Sequence, residues 1–397
     1  MARIAALAAL LLALLAPSAS AAGRAATARA LAAQMRAAGA GSGALAVDLD
    51  SGTQIYARRP GTPRMPASVE KLYTSATALR RLGASARLGT TVLADAAPDA
   101  GGTIAGNLYL RGGGDPTFDS VDLDRLARQV ADAGVVAIAG RVVGDETGFD
   151  GRRGVPSSGY RLTSDVGPLS ALTFNRGRTG LRAPFWQRDP ARFAAAAFAK
   201  ALRKRGVDVR RTVSTAATPP TAVQLAQWRS LPLSDLLRLM NRPSDNFMAE
   251  TLIKVLGARF RGSGTTAGGA AVVREELSAL NVDPRVVDGS GLSRQDRTSP
   301  RQVVRLLAAM GGDAAFEGSL AVAGRSGTLA YRMRRTAAQD RCRAKTGTLH
   351  DVSALAGYCT TAGGAHVAFA FLMNYVSPWS ARLLQDRMAA ALASYVP

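Results

Sequence analysis

The chain has 397 residues, 47% of them apolar, and carries 50 Lys and Arg against 29 Asp and Glu, a formal charge of +21. That composition fits one or two ordinary hydrophobic cores and excludes a disordered polycation, while the lack of any fixed-period repeat excludes a solenoid, a collagen or a coiled coil. The basic residues are 45 Arg and only 5 Lys, so each lysine merits locating.

In chain order, Arg3, an apolar run from Ile4 to Ala16, Pro17 and the small residues Ala19-Ser20-Ala21 read as a signal peptide over residues 1–21. The run is too short to span a bilayer. The expectation is a periplasmic protein whose mature chain starts near Ala22. A helical pattern then covers Ala25 to Ala38, with Leu31 and Met35 on one side. Gly43 to Leu49 and Thr53 to Ala57 alternate across Asp50-Ser51-Gly52, which is a hairpin signal. From Pro66 to Leu82 the pattern is helical, with Leu72, Ala76 and Leu79 on one face.

Residues 89 to 227 change character. Short strands are expected at Thr90 to Ala94, Gly106 to Leu110, Val135 to Val143 and Ala171 to Asn175, broken by turns such as Gly112-Gly113-Gly114-Asp115-Pro116, with helices at Asp122 to Ala133 and Pro190 to Arg205. Beyond Pro232 come helices at Ser234 to Met240, Asp245 to Leu256, Ala267 to Leu280 and Arg301 to Met310. Strands follow at Ala344 to Thr348, Ala354 to Thr360 and His366 to Met373, then a closing helix from Trp379 to Tyr395. This is the order of an α/β domain interrupted by an insertion, its first and last strands sharing one sheet.

Two cysteines and two histidines cannot assemble a zinc site of the usual ligand count, so no metal is expected. Cys342 and Cys359 lie eight and nine residues from the middle of Thr348 to Val352. If that segment is a turn between antiparallel strands, they face each other and suit a disulfide; two buried free thiols are the alternative. The arginines are dispersed and no finger, helix-turn-helix or aromatic-basic sheet signature accompanies them, so no nucleic-acid partner is expected. Peripheral, salt-sensitive association with anionic membrane or cell-wall material is the expected use of the charge.

Three short motifs carry chemistry. In Ser68-Val69-Glu70-Lys71 a serine and a lysine three apart share one helical face, and a lysine with a lowered pKa can take the serine proton. Ser244-Asp245-Asn246 follows Arg242-Pro243 and opens a helix. Lys345-Thr346-Gly347 lies in a strand, where lysine and glycine are both poor choices by propensity; the glycine admits a ligand backbone and the lysine can hold an anion.

In this order the three motifs resemble those of penicillin-binding proteins and serine β-lactamases. The long gap after Ser68, Gly114-Asp115-Pro116, Asp145-Glu146-Thr147-Gly148-Phe149 and above all Val287-Asp288-Gly289-Ser290-Gly291-Leu292-Ser293-Arg294 resemble the class C, type-4 low-molecular-mass penicillin-binding proteins, the D-alanyl-D-alanine carboxypeptidase/endopeptidases. The resemblance implies an α/β fold: a penicillin-binding/β-lactamase-like transpeptidase domain (22–88 and 228–397) with a strand-rich inserted domain (89–227). It implies Ser68 as the acylated nucleophile, Lys71 as its base, Ser244 as a proton relay and Asn246 as a partner of the substrate amide. Lys345 and Thr346 would hold the terminal carboxylate, Gly347 would admit the peptide, and the N–H groups of Ser68 and Thr348 would form the oxyanion hole. Peptidoglycan peptides would be the substrates and β-lactams covalent inhibitors, with no cofactor. Asp145 and Arg294 resemble an acid and base reading a diaminopimelate side chain.

Two departures stand out. Only 175 residues separate Ser68 from Ser244, fewer than in larger members, and Tyr160-Arg-Leu-Thr-Ser-Asp165 replaces their W-x-x-x-D stretch at a different spacing. A β-lactamase needs an added base for deacylation, and Glu275 and Glu276 precede Leu280-Asn281 at the wrong distance for an E-x-x-L-N loop. A non-catalytic cell-wall binder is the other alternative, although no motif residue is lost.

Overall fold

The computed structural model describes residues 22–180 and 185–397; the expected signal peptide lies outside them. Helix α1 (Arg24–Ala37) leads into the hairpin β1 (Ser42–Asp48) and β2 (Gln54–Arg58), and a 3-10 turn, Ala67–Glu70, opens helix α2 (Lys71–Leu82). The next stretch contains β3 (Gly89–Ala94), β4 (Thr103–Ile104), β5 (Leu108–Gly112), α3 (Ser120–Asp132), β6 (Ala137–Ile138), β7 (Val142–Asp145), α4 (Pro190–Lys204), β8 (Asp208–Val209), β9 (Ser214–Thr215) and β10 (Val223–Arg229). Five helices follow: α5 (Leu233–Asn241), α6 (Asn246–Arg261), α7 (Thr266–Ser278), α8 (Pro300–Met310) and α9 (Ala314–Ser319). The chain ends with β11 (Ala321–Val322), β12 (Cys342–Leu349), β13 (Val352–Thr360), β14 (His366–Asn374) and α10 (Pro378–Ala393). Side-chain caps fix several helix starts: Asp119, Asp189, Asp245, Thr265 and Ser299 each accept a first-turn N–H.

The first and last strands share one six-stranded sheet in the order β11-β12-β13-β14-β1-β2. Alternate residues of its strands point to opposite faces and enter two cores. Ala354, Ala356, Ala368, Ala370 and Leu372 pack toward α2 and α5–α8, whereas Leu355, Val367, Phe369, Phe371 and Met373 pack toward α1 and α10. The sheet is thus covered on both sides by helices. At its edge β11 pairs only with Arg343 and Ala344, so β12 beyond Ala344 has no strand on its outer side among the described residues.

The inserted stretch forms its own sheets, β10-β3-β5-β7-β9 and β4-β6-β8, with α3 and α4 over a separate core that includes Val92, Leu110, Leu126 and Phe198. Two expected strands differ here. Val135 to Val143 is two short strands, because the chain turns at Gly140, where a Cβ would lie 2.3 Å from the carbonyl oxygen of Gly106. Ala171 to Asn175 is irregular: it crosses over Gly112, bonds Gly114 N to Ala171 O, and buries Leu172 and Phe174, so its alternation reflects burial without strand pairing. Strand β10, which the sequence reading left out, completes the insert's larger sheet beside β3.

β12 and β13 form the expected hairpin, with Thr348 opposite Ser353 and Cys342 opposite Cys359. The two cysteines are joined in a disulfide. No helix among the described residues is long and apolar enough to cross a membrane.

Candidate active site

The site forms where α2, the turn before α6, the Val287–Arg294 loop and the edge of β12 converge. Ser68 lies in the 3-10 turn, not in the α-helix proper, and Ala67 before it adopts φ +47°. The three-residue spacing still brings the pair together, with Lys71 Nζ 2.9 Å from Ser68 Oγ. Lys71 is fully buried and donates also to Asn246 Oδ1 (2.7 Å) and the carbonyl oxygen of Ser290 (2.7 Å). Burial lowers its pKa to about 8, against the opposing pull of Asp288, Glu250, Asp245 and Glu70.

Ser244 sits in the left-handed region at φ +65°, a costly conformation for a residue with a side chain. Its hydroxyl accepts from Lys345 Nζ at 2.7 Å, and Lys345 also donates to the carbonyl oxygen of Thr346 at 2.8 Å. Asp245 caps α6 by accepting from Met248 N, which places Asn246 at the first helical position, facing Lys71. Lys345 is fully buried; burial, then the charge of Lys71, holds its pKa well below the ordinary lysine value. Thr346 Oγ1 meets Thr328 Oγ1 at 2.9 Å, and Arg382 of α10 donates to Thr348 Oγ1 at 3.2 Å. A Cβ at Gly347 would stand 2.5 Å from the carbonyl oxygen of Pro66, so glycine lets β12 close on the Ser68 turn.

These residues line a cavity of about 630 Å³ whose walls include Ser68, Ser244, Asn246, Thr346, Thr348 and Arg382. The three motifs that the sequence places far apart are therefore one constellation.

The Val287–Arg294 loop is wound around a buried carboxylate. Asp288 accepts from the N–H groups of Ser290, Gly291 and Ser293. Gly291, at φ +81°, passes so close to the Ser68 turn that a Cβ would lie 1.9 Å from the carbonyl oxygen of Ala67. Beneath Lys71 lie four buried carboxyls, Glu70, Glu250, Asp288 and Asp296. Burial pushes all four up, Glu250 to about 8 and Asp296 to about 11. Thr328, Arg382 and Glu250 were missed in the sequence; Glu250 looks there like an ordinary helical residue. Only its 0% exposure and its acceptance from Gly289 N and Ser290 N identify it.

The structure does not bring Asp145 and Arg294 together. Asp145 is 2% exposed and both its oxygens are occupied, one by Thr147 and the other by Thr218, which also hold its pKa below the ordinary carboxyl value despite burial. It organises the insert. Arg294 is exposed and pairs with Asp351 instead. The separate cavity that Arg294 lines, about 730 Å³, meets the insert at Ser158, Thr163 and Asp165. A third buried lysine, Lys254, ties α6 to the insert through Asp150 and the carbonyl oxygen of Arg152.

The profile of the D-Ala-D-Ala carboxypeptidase 3 (S13) family matches residues 25–183 and 173–395. The chain belongs to that family. Among members, a D-alanyl-D-alanine carboxypeptidase of an Actinomadura species is 34% identical over 90% of this chain and 82% of the relative. The carboxypeptidase DacB of Mycolicibacterium smegmatis is 31% identical over 87% of this chain and 79% of its own. In fold, the S13 chain is similar to the crystal structure of penicillin binding protein 4 from Haemophilus influenzae, with a TM-score of 0.78 at 22% identity, covering 90% of this chain and 97% of that one.

Proposed function

We propose that the protein is a serine D-alanyl-D-alanine carboxypeptidase and D,D-endopeptidase that cleaves peptidoglycan stem peptides and their cross-links through an acyl-enzyme, and that penicillins acylate it at the same serine. The observation that carries this reading is the buried amine of Lys71, 2.9 Å from Ser68 Oγ and titrating near pH 8. In its neutral form Lys71 takes the Ser68 proton as Oγ attacks the penultimate D-alanine carbonyl. In β12, Cys342 turns its carbonyl outward to Ala323 N, and residues of the same parity point the same way. The N–H of Thr348 thus faces the cavity, and with that of Ser68 it would hold the oxyanion.

Thr346, Thr348 and Lys345 receive the carboxylate of the departing residue, while Asn246 bonds the substrate amide. The proton that Lys71 took passes by way of Ser244, bridged to Lys345, to the leaving amine as the C–N bond breaks, which leaves Lys71 neutral. Water then adds to the ester, giving a proton to Lys71, and Lys71 returns it to Ser68 Oγ as the ester bond breaks, regenerating the hydroxyl and releasing the acid. Recognition of a side chain carrying both charges is better served by Arg294 with Asp165 across the second cavity than by Asp145. The insert over residues 89–227 supplies that wall. Export by a cleaved signal peptide to the periplasm and salt-sensitive association with anionic wall or membrane complete the reading.

The test is incubation of residues 22–397 with fluorescent penicillin and with cross-linked muropeptides. Wild type acquires a long-lived label and releases both terminal D-alanine and cross-linked partners; Ser68→Ala and Lys71→Ala do neither while melting within a few degrees of wild type. Rapid loss of label would indicate a lactamase, and no label at all would indicate a binder.

A further inference from the structure

A cleft of about 440 Å³, distinct from the catalytic cavity, opens where the insert's larger sheet meets α6. Four arginines line it: Arg87 before β3, Arg111 on β5, Arg229 at the end of β10 and Arg259 in the last turn of α6. No acidic residue does. All four are exposed, and among the described residues none has a carboxylate within ion-pair distance; Arg87 donates to the carbonyl oxygen of Ser230 and Arg229 to Gln227 Oε1.

The register fixes the floor. Gln227, Thr91 and Arg111 are cross-strand partners in one row, and Arg229 and Gly89 are partners in the next row on the same face. Arg111 and Arg229 therefore flank β3 from its two neighbours, two strand spacings across and two residues along, about 12 Å apart at their Cα atoms. Between them Gly89 carries no side chain, and a Cβ on the adjacent Gly113 would meet the carbonyl oxygen of Gly89 at 2.4 Å. The middle of the floor is the bare backbone of Gly89 beside the Thr91 side chain. Asp145 stands in register with Arg111 on β7, but its oxygens are committed to Thr147 and Thr218.

We propose that this cleft is a binding site for an anion bearing two or more phosphate groups. Guanidinium forks match phosphate oxygens in pairs, and several unpaired arginines rooted on separate strands and a helix around one open floor suit a diphosphate or successive phosphodiesters better than a single small ion. Neither the motifs nor the hydrolytic reading uses any of these residues.

Calorimetric titration of the full mature protein with inorganic pyrophosphate, at ionic strength held fixed with sodium chloride, tests the site. Saturable binding at one site is expected, weakened about tenfold or more in Arg111→Gln/Arg229→Gln and likewise in Arg87→Gln/Arg259→Gln, one pair from each wall. The comparison is Arg29→Gln/Arg36→Gln, which removes the same charge from exposed positions on α1 and is expected to leave binding nearly unchanged. Penicillin labelling, unchanged in all three, reports that each variant is folded. Absence of saturable binding in wild type, or equal weakening in all three variants, would show that only net charge attracts the anion and would overturn the site.

Discussion

Lys71 and Glu250 are joined through a single residue: Ser290 accepts from Lys71 Nζ at its carbonyl (2.7 Å) and gives its own N–H to Glu250 Oε1 (2.8 Å). Burial brings the lysine down to about 8 and the carboxyl up to about 8, so the two exchange protonation over one pH range. A charged Glu250 favours the ammonium form of Lys71 and withholds the base.

Glu250→Gln keeps an oxygen for the two N–H groups and removes the charge. The alkaline rise of penicillin acylation should then move to lower pH, by roughly one unit. The readout is the acylation rate constant between pH 5 and 10 at constant ionic strength. A slower variant with an unmoved pH profile would reduce Glu250 to a packing residue.

The same carboxyl contributes to the pH dependence of stability, as do Glu70, Asp288 and Asp296, which burial raises in the same direction. The native pKa of Glu250 is raised, so the folded state holds the proton more tightly than the unfolded one. The contribution is complete below the ordinary carboxyl value of 4.5 and is lost as pH rises through about 8. Lys71 adds no slope in this window, since its own linkage lies above about 8. Lys345, held well below the ordinary lysine value, has the opposite slope, so the readout is the difference: the melting temperature of wild type minus that of Glu250→Gln should fall from pH 5 to pH 8. A difference that is level or rising over that window would contradict the assignment.

Lys345 predicts a proton count. Burial and the neighbouring Lys71 hold it well below the ordinary lysine value, while a carboxylate arriving beside it favours the ammonium. Binding of a peptide ending in D-Ala-D-Ala to Ser68→Ala at pH 8 should take up protons, seen as a heat that varies with the ionisation enthalpy of the buffer. Heats independent of buffer would mean that Lys345 is already charged in the empty site.

Gly291→Ala places a Cβ against the carbonyl oxygen of Ala67 at a residue with φ +81°. The expected cost is about 2 kcal/mol or more, together with a loss of acylation larger than the loss of folded protein, because the displaced atoms carry Ser68. Urea unfolding alongside labelling separates the two effects. Wild-type labelling in this variant would show that the loop relaxes without moving the nucleophile.

The main sheet was legible because its signals are local: alternation in β1 and β2, short apolar runs at β13 and β14, and a turn whose centre made Cys342 and Cys359 partners. The insert was less so. Ala171 to Asn175 alternates because Leu172 and Phe174 fill a core, and alternation does not distinguish burial from pairing. Ser68, Lys71, Ser244, Asn246 and Lys345 were singled out by three short motifs and the resemblance that the set carries, and the contacts among them are long-range ones that no single motif gives. At Asp145 an acid before a turn reads the same in sequence whether it faces a ligand or, as in the structure, bonds Thr147 and Thr218. Glu250 and Arg382 had no motif at all; one is recognised by burial and the other by its reach to Thr348.

The pairing of β11 stops at Ala344, and Thr346 and Thr348 turn their backbone groups away from β13. The sheet is one strand short beside Ser68, and under the proposed function an extended peptide laid there would supply the missing rung. Selection along this edge would then be made by backbone shape before any side chain is read: a substrate whose amide is methylated opposite Thr346 would lose the ladder bond whatever its sequence. So short an open stretch, recessed in a cavity, offers another folded copy little length of edge to pair with.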